Sequence, residues 1–161
     1  MITEPIEALA RIQEASFARA SESTRRAYPT DKRMTGEEML EFLARRKVGV
    51  LATVRPDGRP QAGLAGYALV GARFVFASRE DAGRVRNVRH HPHVSLVVGE
   101  ETADGRSVVV VEGTARLQSP NEASLETRAP FRDDHGTLPE WIEVLLLLTP
   151  ERILSYGSDR G

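Results

Sequence analysis

Ile6, Leu9, Ile12 and Phe17 recur at roughly helical intervals among polar positions, and this spacing predicts an amphipathic helix over residues 5–21. Residues 22–34, with Ser, Thr, Arg and Pro29, read as a loose connector. Thr35-Gly36-Glu37-Glu38 has the form of a capping box. Met39, Leu40, Phe42 and Leu43 behind it predict a second, short helix ending near Arg46.

The period then changes. Val48 to Val54 is apolar and β-branched, and Arg55-Pro56-Asp57-Gly58 is a turn signal. Gln61 to Val70 resumes an extended pattern, Gly71-Ala72 is a tight connection, and Phe74 to Ala77 is a third strand. Ser78 to Asp81 has the pattern of a helix start, with Ser78 as cap and Asp81 returning the bond; the helix runs to about His91, before Pro92. Val94 to Val98 and Ser107 to Leu117 are strands flanking a turn at Thr102-Ala103-Asp104-Gly105. Ser119-Pro120-Asn121-Glu122 predicts a helix to about Arg128, and residues 129–139 read as a polar loop. Ile142 to Leu148 is the sixth strand, and Thr149-Pro150-Glu151-Arg152 leads to a last short element around Ile153 to Tyr156.

Six strands in hairpin order with inserted helices predict a mainly β (α+β) fold, a closed or split antiparallel barrel with peripheral helices. Strict βαβ alternation is absent, which argues against a doubly wound parallel sheet. Residues 1–34 form an N-terminal helix and connector, and residues 35–161 the barrel domain. Leu145 to Leu148 are consecutive, so alternation places leucines on both faces of one strand. Both faces then need cover, from a partner subunit or from a helix such as the chain's own N-terminal one.

Composition narrows the function. A formal net charge of -1 over 161 residues is not that of a general nucleic-acid or anionic-membrane binder. The chain has no cysteine, so thiolate nucleophiles, thiolate metal sites and disulfides are excluded. Met1-Ile2-Thr3-Glu4-Pro5 lacks a basic n-region and a long apolar run, and the expected location is the cytoplasm. The basic residues are almost all arginine, with Lys32 and Lys47 as the exceptions, a bias typical of GC-rich genomes.

Few motifs carry chemistry. There is no phosphate-loop GxxxxGK[ST], no HExxH and no GxSxG. Gly63, Gly66 and Gly71 do not form GxGxxG and lie in a hairpin context. His90, His91 and His93 straddle a helix end without facial spacing, so no metal site is expected. Arg79, Arg84, Arg86 and Arg89 follow a strand end. The helix N-terminus there is a natural anion site, to which Arg84 and Ser78 could add hydrogen bonds. A solvated helix face explains the charge pattern alone more simply. Tyr67 and Trp141 are candidate substrate-pocket aromatics, with ordinary barrel packing as the alternative.

Residues 49–117 resemble the pyridoxamine-5'-phosphate-oxidase-like, or flavin/deazaflavin oxidoreductase, split barrels. The resemblance rests on Gly49-Val50-Leu51-Ala52-Thr53-Val54, Asp57-Gly58-Arg59-Pro60-Gln61, Phe74-Val75-Phe76-Ala77-Ser78, Arg84-Val85-Arg86-Asn87-Val88, His91-Pro92-His93-Val94-Ser95-Leu96 and Val111-Glu112-Gly113-Thr114-Ala115, in this order. It implies an FMN-binding split barrel of Greek-key type, a homodimer, and a cofactor groove at the dimer interface. Carried over by position, Gly63, Leu64, Ala65 and Gly66 would run along the cofactor. Ala77, Ser78, Gly83 and Arg84 would surround its phosphate. FMN or the deazaflavin F-420 is the implied cofactor, and oxidation or reduction of a small organic substrate the implied activity, because hydride chemistry resides in the cofactor.

The sequence also departs from the parent oxidase. Gly63 and Ala68 stand where that enzyme has basic residues, Ala82 and Gly83 where it has Ser and Arg, and Val108 where it has an interface Gln. The Leu-Ala-Thr and Asp-Gly-Arg-Pro-Gln segments are closer to the F-420 branch. A non-catalytic carrier of a flavin, haem or related ring is the alternative. A metal or nucleic-acid module built on the His and Arg clusters is a third, disfavoured by the charge balance.

Overall fold

The computed structural model describes residues 3–158; residues 1, 2 and 159–161, where the expected leaderless start and the end of the expected barrel domain fall, lie outside the described residues. Helix α1 spans Thr3–Ala18. The expected loose connector instead carries a short helix, α2 (Glu22–Ala27), because the Ser21 side chain accepts from the Thr24 N–H at 3.1 Å and caps it. Helix α3 (Gly36–Arg46) starts at the expected capping box: Thr35 Oγ1 accepts from the Glu38 N–H at 3.1 Å and Glu38 Oε1 from the Thr35 N–H at 3.2 Å. It ends on Lys47 in the left-handed region (φ 61), and the first strand follows directly.

Among the described residues seven strands, not six, form one antiparallel sheet. They are β1 (Val48–Val54), β2 (Pro60–Gly66), β3 (Ala68–Val70), β4 (Arg73–Ser78), β5 (His93–Thr102), β6 (Gly105–Gln118) and β7 (Val144–Gly157), in the order β2-β1-β5-β6-β7-β4-β3. The expected single strand from Gln61 to Val70 divides at Tyr67. There the Tyr67 N–H turns to the Lys47 carbonyl at 3.0 Å, so the stretch before it pairs with β1 and the stretch after it with β4. The two outermost strands of the sheet are thus joined through one residue, which forces the sheet to curl into a split barrel.

The expected sixth strand and the last short element are one strand, β7. Pro150 is tolerated inside it because the pairing with β4 has already ended at Leu148 and the register with β6 shifts at Glu112/Gly113. Gly113 is required there, since a Cβ would lie 2.1 Å from the Thr149 carbonyl oxygen. Beyond Pro150, α1 and the residues before α3 cover the unpaired side of β7. Ser16 Oγ accepts from the Ile153 N–H at 3.0 Å, and Ser155 Oγ accepts from the Met34 N–H at 2.9 Å and donates to Gln13 Oε1.

Two other helix starts differ from expectation. Strand β4 runs through Ser78, whose hydroxyl is engaged by Arg84, so helix α4 (Gly83–His90) begins five residues later on Ala82 without a side-chain cap. Helix α5 (Leu125–Arg128) is capped by Ser124 and not by Ser119.

The four consecutive leucines of β7, Leu145 to Leu148, are all buried. Leu146 and Leu148 point into the barrel with Phe74, Phe76, Leu96 and Val111, where Leu9 of α1 joins them. Leu145 and Leu147 face a second cluster with Val75, Ala123 and Ile142. The cover over that outer face is the chain's own segment between β6 and β7, whereas Leu9 of α1 packs into the other cluster. Each such side chain contributes about 1.5–3 kcal/mol by burial.

Candidate functional site

A groove of about 310 Å³ opens between the β1–β2 edge of the sheet and the first turn of α4. Its walls include Leu51, Thr53, Gln61, Gly63 and Arg84. Alternation sets the two sides of β2: Gly63 pairs with Leu51 and faces the groove, whereas Leu64 pairs with Val50 and turns its side chain outward.

At the head of the groove, the Val85 and Arg86 N–H groups bond to the Ala82 carbonyl at 3.1 and 3.2 Å. The Gly83 and Arg84 N–H groups have no acceptor among the described residues, as expected for a first helical turn. Arg84 lies back over the end of β4, donating from Nε to Ser78 Oγ at 3.2 Å and from Nη2 to the Ala77 carbonyl at 3.0 Å. Burial lowers its pKa, and it remains charged.

Behind the groove runs an amide network. Asn87, fully buried, donates from Nδ2 to Thr53 Oγ1 at 2.9 Å and to Gln61 Oε1 at 3.1 Å. Arg55 Nε donates to the same Gln61 oxygen at 3.3 Å. Asn87 Oδ1 is buried without a partner among the described residues. Gln61 Nε2 faces the start of α4, 3.0 Å from where a Cβ on residue 83 would stand, so glycine there keeps the space open.

The sequence-derived residues divide clearly. Gly63, Gly83 and Arg84 line the groove, and Leu64 borders it with its side chain turned outward. Ala77 and Ser78 are buried beneath it and anchor Arg84. Ala65 is buried in the barrel cluster, and Gly66 lies further along β2, outside the groove lining. Neither Tyr67 nor Trp141 lines it. Tyr67 packs edge-on to Phe74 at 5.3 Å and donates from its hydroxyl to the Leu43 carbonyl at 2.7 Å, while Trp141 is exposed. Gln61, Thr53 and Asn87 were not anticipated as site residues. The available signal was a polar amide at an inward position of a strand. Among the described residues no three His, Cys, Asp or Glu side chains gather to hold a metal ion.

The sheet's outer face carries an apolar stripe. Leu64 is 78% exposed, and Val50 and Val97, next to it in register, are each 40% exposed. Among the described residues no helix is long and apolar enough to cross a membrane.

Residues 35–151 match the family model described as pyridoxamine 5'-phosphate oxidase. The chain belongs to this family. The pyridoxamine 5'-phosphate oxidase fold recurs in a conserved hypothetical protein from Mycobacterium tuberculosis (20% identity, TM-score 0.68, covering 83% of this chain and 91% of that one). It recurs in an FAD binding protein from Mycobacterium smegmatis (17% identity, TM-score 0.61, covering 77% and 95%). It recurs also in a haem storage protein from Vibrio cholerae (18% identity, TM-score 0.58, covering 76% and 96%). The family match begins at the capping box of α3, so α1 and α2 lie outside the matched residues.

Proposed function

We propose that this chain is a flavin-type cofactor-binding oxidoreductase whose cofactor, FMN or a deazaflavin such as F-420, lies along β2 with its anionic group at α4. The observation that carries this reading is the donor-rich head of the groove. The Gly83 and Arg84 N–H groups, the Gln61 amide and the Arg84 guanidinium converge there, beside a glycine strand that lets a flat ring approach. Such a cofactor supplies hydride transfer when bound. The chain's residues bind and orient it: Arg84 and the helix start hold the anionic end, and Gly63 with Leu51 forms the wall along the ring.

The groove is open on its outer side. A second copy packed on the Leu64–Val50–Val97 stripe closes it and makes the functional unit a homodimer. The substrate is a small organic molecule admitted between the copies.

A second reading, a non-catalytic carrier, is supported by one observation: no His, Asp, Glu, Cys, Lys or Tyr side chain is among the lining residues of the groove. Within this reading a flavin is favoured over haem, because the lining offers no His, Cys, Met or Tyr as an axial ligand.

The deciding experiment is titration of the purified chain with FMN, FAD and F-420, followed by cofactor fluorescence, and then turnover of the reduced complex with a panel of acceptors. Binding with turnover supports the oxidoreductase. Binding without turnover on any acceptor selects the carrier. No binding of any of the three overturns the oxidoreductase and the flavin carrier.

A further inference from the structure

We propose that Gln61 sets the charge selectivity of the groove, equipping it for a singly charged oxyanion, a phosphodiester or a carboxylate, in preference to a dianionic phosphate monoester. This deepens the cofactor reading above and rests on it: of the two cofactors it favours a deazaflavin such as F-420, with its phosphodiester and carboxylates, over FMN, whose phosphate is a monoester.

The orientation of Gln61 is fixed by chemistry. Arginine has donors only, so the atom that meets Arg55 Nε at 3.3 Å must be the amide oxygen. The same oxygen takes the second bond, from Asn87 Nδ2 at 3.1 Å. With the oxygen engaged twice, the Nε2 group is turned to the first turn of α4 and has no acceptor among the described residues. A side chain at residue 83 would crowd it at 3.0 Å, and glycine removes that obstacle.

The groove therefore presents neutral donors around one full charge. Arg84 is the one charged side chain among the lining residues. The helix start adds about half a positive charge. Asp81, exposed and one residue ahead of the cap, opposes it. Arg55 stands behind the Gln61 amide, outside the lining. A single negative charge is matched by this set. A dianion would leave a charge uncompensated in a partly desolvated site. A lysine at residue 61 would supply the missing cation; a glutamine supplies hydrogen bonds alone.

The test uses two probes that differ by one methyl group. At pH 8 methyl phosphate is a dianion, its second pKa being about 6, while dimethyl phosphate carries one charge. The full ¹⁵N-labelled chain is titrated with each, and with acetate, reading the Gln61 side-chain amide and the Gly83 and Arg84 backbone amides. Dimethyl phosphate is expected to shift these signals at about one-tenth the concentration methyl phosphate needs, and acetate places the carboxylate on the same scale. Gln61→Lys is expected to reverse the preference, and Gln61→Glu to abolish the response to all three anions, both in chains with wild-type thermal unfolding. A reversal is not something a merely structural glutamine would produce. Equal or tighter binding of methyl phosphate by the wild type overturns the inference. So does an unchanged preference in Gln61→Lys, or silence of these amides towards every anion. Flavin binding with silent amides removes this inference alone; anion selectivity without flavin or F-420 binding removes the cofactor reading and leaves the charge selectivity standing.

Discussion

Arg84 Nε and Ser78 Oγ meet at 3.2 Å across the end of β4, so the one guanidinium that lines the groove is tied to the strand behind it. The second tie, to the Ala77 carbonyl at 3.0 Å, leaves the remaining nitrogen for an occupant. Arg84→Ala is expected to weaken binding of the anionic cofactor by about 1.5–3 kcal/mol, the range for a charged hydrogen bond. Arg84→Lys restores the charge but not the double tie and is expected to recover only part of it. Fluorescence titration measures both; equal affinity in wild type and Arg84→Ala would remove Arg84 from the site.

Leu64 projects from an edge strand with 78% of its surface exposed. If a second copy covers it, Leu64→Asp places a charge in an apolar interface and should shift the protein from dimer to monomer. Sedimentation velocity of wild type and variant distinguishes the cases. A monomeric wild type at micromolar concentration would end the dimer proposal.

Gly113 sits where β6 passes closest to β7. A methyl group there would meet the Thr149 oxygen at 2.1 Å, so the backbone must move. Gly113→Ala is expected to lower stability by about 1–3 kcal/mol or more, the usual cost of overpacking. Urea unfolding should show a lower midpoint with an unchanged slope.

The Tyr67 phenol is 7% exposed, and burial raises its pKa from 10.0 to about 12. The neutral form is the one the fold accommodates. The stabilisation is thus complete below pH 10 and is lost as pH rises from about 10 towards about 12. Tyr67→Phe is expected to cost about 1 kcal/mol at pH 7 through the lost bond to Leu43, and to flatten the decline above pH 10. Chemical denaturation at pH 7, 9 and 11 checks both effects.

Local signals in the sequence carried much of the fold. The capping box at Thr35 and the turn at Asp57-Gly58, where Gly58 adopts φ 90, are short-range devices that act without their surroundings. The break at Tyr67 is invisible locally, because the chain stays extended while it changes partners. Pro150 reads as a terminator, and only the register shift opposite it explains how β7 continues. Ser78 misleads for a related reason: Ser-x-x-Asp after a strand satisfies the capping pattern, yet Arg84 competes for the hydroxyl. In the groove, Gly63, Leu64, Gly83 and Arg84 were accessible through the resemblance. Gln61, Thr53 and Asn87 were not, since they meet only when β1, β2 and α4 are assembled.

The far half of β7 has a consequence for solubility. From Pro150 onward one side of this strand has no neighbouring strand, and an open edge of that kind invites a strand from another molecule. Ser16 occupies the Ile153 N–H and Ser155 holds Met34, so α1 and its connector fill the edge from within the chain. The helical preface outside the family match therefore acts as a guard against self-templating. A chain shortened to begin at residue 35 would expose that edge and lose Leu9 from the barrel core, and is expected to self-associate at high concentration.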